Sequence, residues 1–146
     1  MSSHHRIIRP LEVRFRDLDA MGHVNNAVFF TYFEEGRKAF LEEVLGIVDA
    51  ASYPFILAHI HCDYRAPLRI SDRPALETWI GEIGKRKFSF RYRLTRRDDT
   101  SCVFGNGESV MVFYDYHAER SIPIPADVLK KMTPYVEEPG ASANPP

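Results

Sequence analysis

The sequence predicts an α+β domain in which a curved antiparallel sheet wraps one central helix. Three observations carry that prediction. One long stretch has a sustained helical period: Phe29, Phe33, Gly36, Phe40 and Val44 fall at steps of three and four on one face, with Glu34, Glu35, Lys38, Glu42 and Glu43 largely elsewhere. The later chain is strand-like, most clearly where Phe88, Phe90, Tyr92 and Leu94 alternate with Ser89, Arg91, Arg93 and Thr95. Finally, 146 residues with 45% hydrophobic and 27% charged content suit one compact domain, and neither an internal repeat nor a linker divides them.

Taken in order, residues 1–10 are polar and basic with no apolar run. They are read as a flexible N-terminus and not as a signal peptide. Leu11, Val13 and Phe15 alternate with Glu12 and Arg14, the pattern of a half-buried strand. A polar loop leads into the long helix, which Gly46 is placed to stop. Gly36 costs about 1 kcal/mol relative to Ala inside a helix, so its presence predicts close approach to a strand beneath. Residues 55–63 and 75–83 read as strands separated by the turn Ser71-Asp72-Arg73-Pro74. Gly84-Lys85-Arg86-Lys87 connects to the alternating strand, and Asp98-Asp99-Thr100-Ser101 turns the chain into a last strand over 102–116. Within it Asn106-Gly107 reads as a glycine bulge rather than a hairpin turn, because too few residues precede it. Residues 126–132 predict a short helix that closes a domain spanning 11–132. Residues 133–146, rich in Pro, Glu, Ala and Ser, are expected to be a disordered tail.

Composition excludes several roles. A formal net charge of -1 argues against a general nucleic-acid binder, and no stretch is long enough to span a bilayer as a helix. Cys62 and Cys102 fit no metal or redox spacing. Both are read as buried thiols of a reducing compartment, which makes the cytoplasm the expected location. His59 and His61 share a strand face and, with His23, suggest an open zinc site. No carboxylate spacing supports it, so neither metal nor cofactor is expected.

The chemistry concentrates just before the helix, in Asp19-Ala20-Met21-Gly22-His23-Val24-Asn25-Asn26. The first N–H groups of a helix lack internal partners, and the macrodipole makes that end electropositive, so it can polarise a carbonyl oxygen. Asp19 lies a few residues upstream. One reading has it attack an acyl carbonyl or activate water, and the other has it merely cap a turn or the helix. Its neighbour Asp17 is assigned an exposed or turn-stabilising role. Gly22 is read as allowing a sharp turn and close approach of an acyl group. Asn25 and Asn26 are candidate caps, with Asn26 N–H as the carbonyl-polarising donor. His23 either orients Asp19 or a water, or is structural. Val28, Phe29 and Tyr32 are core residues that would also line an acyl tunnel. Lys85, Arg86 and Lys87 form a compact basic patch that suits phosphates or is simply a solvated hairpin end.

This Asp-to-Asn-Asn motif, followed by an aromatic-rich helix with Glu34-Glu35, resembles the hotdog-fold acyl-CoA thioesterases, in their 4-hydroxybenzoyl-CoA thioesterase-like branch. Later signposts agree in order: Asp63-Tyr64-Arg65-Ala66-Pro67, the Gly84-to-Phe90 stretch, then Asp115, Arg120 and Ile122-Pro123-Ile124-Pro125. The resemblance implies a hotdog fold and hydrolysis of an acyl-CoA to a free acid and coenzyme A. It also implies a homodimer or dimer of dimers, with active sites at the subunit interface. The family's catalytic carboxylate falls on Asp19 and its polarising amide near Asn26. Its basic coenzyme A contacts fall on Gly84, Lys85 and Arg86, where glycine replaces one basic residue and Lys87 adds another. His23 and the asparagine pair match the long-chain acyl branches better than the aromatic ones. Two other readings stay open: a non-catalytic acyl-thioester binding module, and a thioesterase acting on acyl carrier protein. The hydratases of the same fold carry a different His-containing loop.

Overall fold

The computed structural model describes residues 4–137. The chain runs β1 (Ile7–Pro10), α1 (Asn26–Leu45), β2 (Phe55–Tyr64), β3 (Pro74–Ile83), β4 (Lys87–Arg96), β5 (Asp99–Asp115), β6 (Arg120–Ser121) and α2 (Ala126–Met132). The strands form one antiparallel sheet in the order β1-β3-β4-β5-β2, with β6 paired to the end of β5. The sheet curls around α1, which is the hotdog architecture.

The predicted apolar face of α1 is the face that meets the sheet: Phe29, Phe33, Gly36 and Phe40 are all buried. Phe33 stacks on Tyr92 of β4 at 4.4 Å and 6°, and Phe40 meets Phe90 edge-on at 5.0 Å. Such aromatic pairs add about 0.5–1.5 kcal/mol beyond the area they bury. Gly36 sits where a strand comes close, since a Cβ there would lie 2.3 Å from Thr78 Oγ1 and 2.7 Å from Leu76 Cδ2. Gly46 ends the helix in the left-handed conformation, φ 68°.

Several expectations need correction. Residues 11–15 do not form a strand. The first strand is Ile7–Pro10, paired from Ile7↔Thr78 to Pro10↔Ala75, so this part of the N-terminus is an ordered sheet edge. The alternation after it is broken by a local turn: Arg14 N–H donates to Asp17 Oδ2 at 2.9 Å, closing a single 3-10 turn over Phe15–Asp17 and leaving Phe15 83% exposed. Such short side-chain contacts compete directly with strand pairing. Residues 1–3 lie outside the described residues.

The bulge in β5 also falls elsewhere. β5 is one continuous strand, but the register skips between Leu94↔Gly105 and Thr95↔Val103, so the extra residue is Phe104. Gly107 is regularly paired. It is required by packing, because a Cβ there would meet His61 O at 2.4 Å and the Phe33 ring at 2.6 Å. The expected tail does not begin at residue 133. Thr133–Tyr135 form a 3-10 turn, Val136 bridges to Ile80, and Glu137 accepts from Trp79 Nε1 at 2.9 Å and pairs with Arg91 at 3.0 Å. The remainder of that expected tail, 138–146, lies outside the described residues. Cys62 and Cys102 are free thiols but only half-buried.

Candidate active site

The start of α1 is fixed by Asn25. Its side chain accepts from Ala27 N–H at 2.8 Å and its carbonyl from Val28 N–H at 2.9 Å, as expected of an N-cap. Asn26 N–H makes no hydrogen bond among the described residues, so a donor stands at the positive end of a 20-residue helix. Upstream, the Asp19 carboxylate is held by the loop it belongs to. Oδ1 accepts from Met21 N–H at 2.8 Å and from His23 N–H at 3.1 Å, while Oδ2 has no hydrogen bond among the described residues. The loop closes through Asp19 N–H to His23 O at 2.7 Å and Gly22 N–H to Asp19 O at 3.1 Å. Gly22 takes φ +80°, which explains glycine at that position.

Asp19, His23, Asn26 and Phe29 line one side of an open cleft of about 310 Å³, and Tyr64, Arg65, Ala66, Pro67 and Leu68 line the other. Tyr64, at the end of β2, donates its hydroxyl to Asn26 O at 2.7 Å and meets Phe29 edge-on at 5.0 Å. Burial, with the neighbouring Cys62, pushes the Tyr64 phenol up, which keeps it a proton donor. Arg65 is oriented by Asn106, whose Oδ1 accepts from Arg65 Nε at 2.9 Å.

Beneath the loop sits Asp17, buried rather than exposed. Burial works against its charge. Arg14 N–H, the Tyr32 hydroxyl at 2.8 Å and the Arg14 guanidinium at 3.3 Å outweigh that and hold the carboxyl below its usual range. Its carbonyl accepts from Asn25 N–H at 2.8 Å. Asp17 thus ties the loop both to the helix body and to the cap.

Asp19, His23, Asn26 and Phe29 therefore share one cleft, Asn25 caps the helix, and Gly22 shapes the loop. Val28 and Tyr32 do not line that cleft: Tyr32 turns to Asp17, and Val28 packs against the core. The basic hairpin also lies apart. Lys87 starts β4, whereas the cleft abuts Tyr64, which pairs with Gly105 and through it with Leu94. Those seven residues of strand span about 23 Å. Arg86 is anchored there by donating to Ser121 O at 2.9 Å. Tyr64 and Arg65 were not singled out as site residues by sequence reasoning, although they sit inside a stretch that carried the family resemblance. His59 and His61 lie on β2 with ring centroids 5.9 Å apart and tilted by 53°, and no metal-binding cluster occurs among the described residues.

Comparison with known proteins agrees with this architecture. The family model of the thioesterase-like superfamily matches residues 13–132, and the chain belongs to that superfamily. A predicted thioesterase from Bacillus stearothermophilus superposes with a TM-score of 0.84 at 22% identity, covering 93% of this chain and 100% of that one. A thioesterase from Thermus thermophilus, solved with coenzyme A and Zn, superposes with a TM-score of 0.76 at 26% identity, covering 87% and 90%. The chloroplastic acyl-acyl carrier protein thioesterase ATL3 of Arabidopsis thaliana is 25% identical over 142 residues, 94% of this chain and 72% of that protein.

Proposed function

We propose that this member of the thioesterase-like superfamily hydrolyses an acyl-CoA thioester to a free acid and coenzyme A. The observation that carries the reading is the shared cleft: the Asp19 carboxylate and the first turn of α1 line the same space. The thioester oxygen accepts from Asn26 N–H at the positive helix end, where developing negative charge is most strongly stabilised. Asp19 works on the carbonyl carbon. As a base it takes a proton from water, the hydroxide adds to the carbon, the C–S bond breaks, and the thiolate recovers the proton. As a nucleophile it adds directly, the C–S bond breaks and coenzyme A leaves as the thiolate, and water then attacks the Asp19 carbonyl of the mixed anhydride, releasing the acid, with the proton passing to the thiolate. Single turnover in ¹⁸O-water separates the routes: the base route puts one ¹⁸O in the acid, whereas the nucleophile route leaves the acid unlabelled and puts the ¹⁸O in Asp19. The backbone N–H groups of Met21 and His23, both on Asp19 Oδ1, position the carboxylate.

The basic hairpin, about 23 Å along the sheet from the cleft of its own chain, fits the phosphates of coenzyme A held by the other protomer of a homodimer. β2 supports that assembly, since it is a ten-residue edge strand with one row of ladder groups unpaired in the single chain. Thiol release from acyl-CoAs of graded length tests the activity: turnover is expected, and a folded protein inert toward every chain length contradicts it. A carrier-protein thioester is the second reading, favoured by the likeness to ATL3 across 94% of the chain. Presenting one acyl chain on both carriers distinguishes them.

A further inference from the structure

A second cavity, of about 490 Å³, lies against the middle of α1 and shares no lining residue with the Asp19 cleft. Leu41, Phe55, Ile56 and Met111 give it apolar walls, and Arg37 brings a guanidinium to it. The Arg37 side chain is only 12% exposed. Its two partners among the described residues, the Tyr92 hydroxyl and the Glu34 carboxylate, leave part of its fork free. Arg37 donates to the Tyr92 hydroxyl at 3.2 Å, and burial pushes that phenol up despite the nearby cation, so the partner is neutral. Glu34 stands 3.8 Å away, beyond hydrogen-bond range, on a side chain 73% exposed to screening solvent. Glu35 and Lys38, one of each sign, reach the rim as exposed groups. A guanidinium offers five donors in a planar fork suited to a carboxylate, and the phenol occupies one. A largely desolvated cation whose one ion pair among the described residues is with an exposed carboxylate at 3.8 Å keeps donors free, and a carboxylate arriving with an apolar tail would engage them while covering the walls. A cavity of this size with apolar walls, a largely buried guanidinium and an exposed rim of Glu34, Glu35 and Lys38 also has the form of a small-molecule site.

We propose that this cavity binds a carboxylate at the end of an apolar chain, with the carboxylate on Arg37 and the chain against Leu41, Phe55, Ile56 and Met111. A free acid and the far end of a dicarboxylic acyl thioester both have this chemistry. The site goes beyond the hydrolytic reading, since binding here needs no turnover.

Calorimetric titration of the full chain with octanoate tests it, with 1-octanol as the uncharged control. One saturable site per chain is expected. At least tenfold weaker binding is expected for octanol, for Arg37→Met, and for Ala50→Trp, which fills the mouth; Arg37→Lys recovers part of the loss. Asp19→Asn is expected to bind octanoate as the parent does, so failure of hydrolysis and failure of this site are read separately. Faster turnover of suberoyl-CoA than of octanoyl-CoA, lost in Arg37→Met, assigns the acyl source. Octanoate binding without that preference assigns the free acid. Equal affinity for octanoate and octanol, or no saturable binding, overturns the proposal. So does undiminished binding by a folded Ala50→Trp, which decides the matter even should Arg37→Met fail to fold.

Discussion

Asp17 and Asp19 are two residues apart and carry opposite duties. Asp19 is exposed and one of its oxygens takes no hydrogen bond among the described residues, whereas Asp17 is buried with its carboxylate taken up by Arg14 and Tyr32. Asp17→Asn is therefore expected to cost about 1.5–3 kcal/mol of stability, read by denaturant unfolding, because bonds to a buried charge are lost. The pH dependence follows from the depressed carboxyl. Its contribution is complete above the unfolded value near about 3.9 and is lost as pH falls through the lower folded value. The Asn variant is expected to show a flatter acid limb than the parent. At the helix start, Asn26→Ala keeps the backbone N–H and should reduce turnover far less than Asp19→Asn. The sequence placed Asp19 and the two asparagines just before the helical period, because that spacing is local. It did not separate exposed from buried in the pair, since that depends on Tyr32, a full loop away.

Among the elements, α1 was the most legible. Its period, its Gly46 stop and its strand-side glycine are all written in contiguous residues. The first strand was misread because Leu11, Val13 and Phe15 carry the better alternation, yet the Asp17 cap on Arg14 bends them out of the sheet. Tyr64 escaped notice as a site residue because its partner, the Asn26 carbonyl, is 38 positions earlier in the chain. The contact between helix and sheet gives a test of its own. Gly36→Ala should destabilise despite the roughly 1 kcal/mol gain in helix propensity, because overpacking against Thr78 and Leu76 costs about 1–3 kcal/mol. Gly107→Ala should be worse, since its Cβ would press on the His61 carbonyl as well as on the Phe33 ring. Thermal unfolding of both variants orders the effects.

At the scale of the whole molecule, the cleft at one end of the strands and the basic hairpin at the other fit a dimer better than a single chain. Sedimentation equilibrium is expected to give two or four times the chain mass, and neutralising Lys85 and Arg86 together should raise KM for acyl-CoA with little change in kcat. A monomer at micromolar concentration would contradict this assembly. The hydrolytic reading itself rests on the carboxylate beside the helix end. Its most direct test compares kcat/KM of the parent and Asp19→Asn on the best acyl-CoA, with circular dichroism confirming that both are folded. A loss of about 10²-fold or more is predicted. Equal turnover by the two proteins would contradict it.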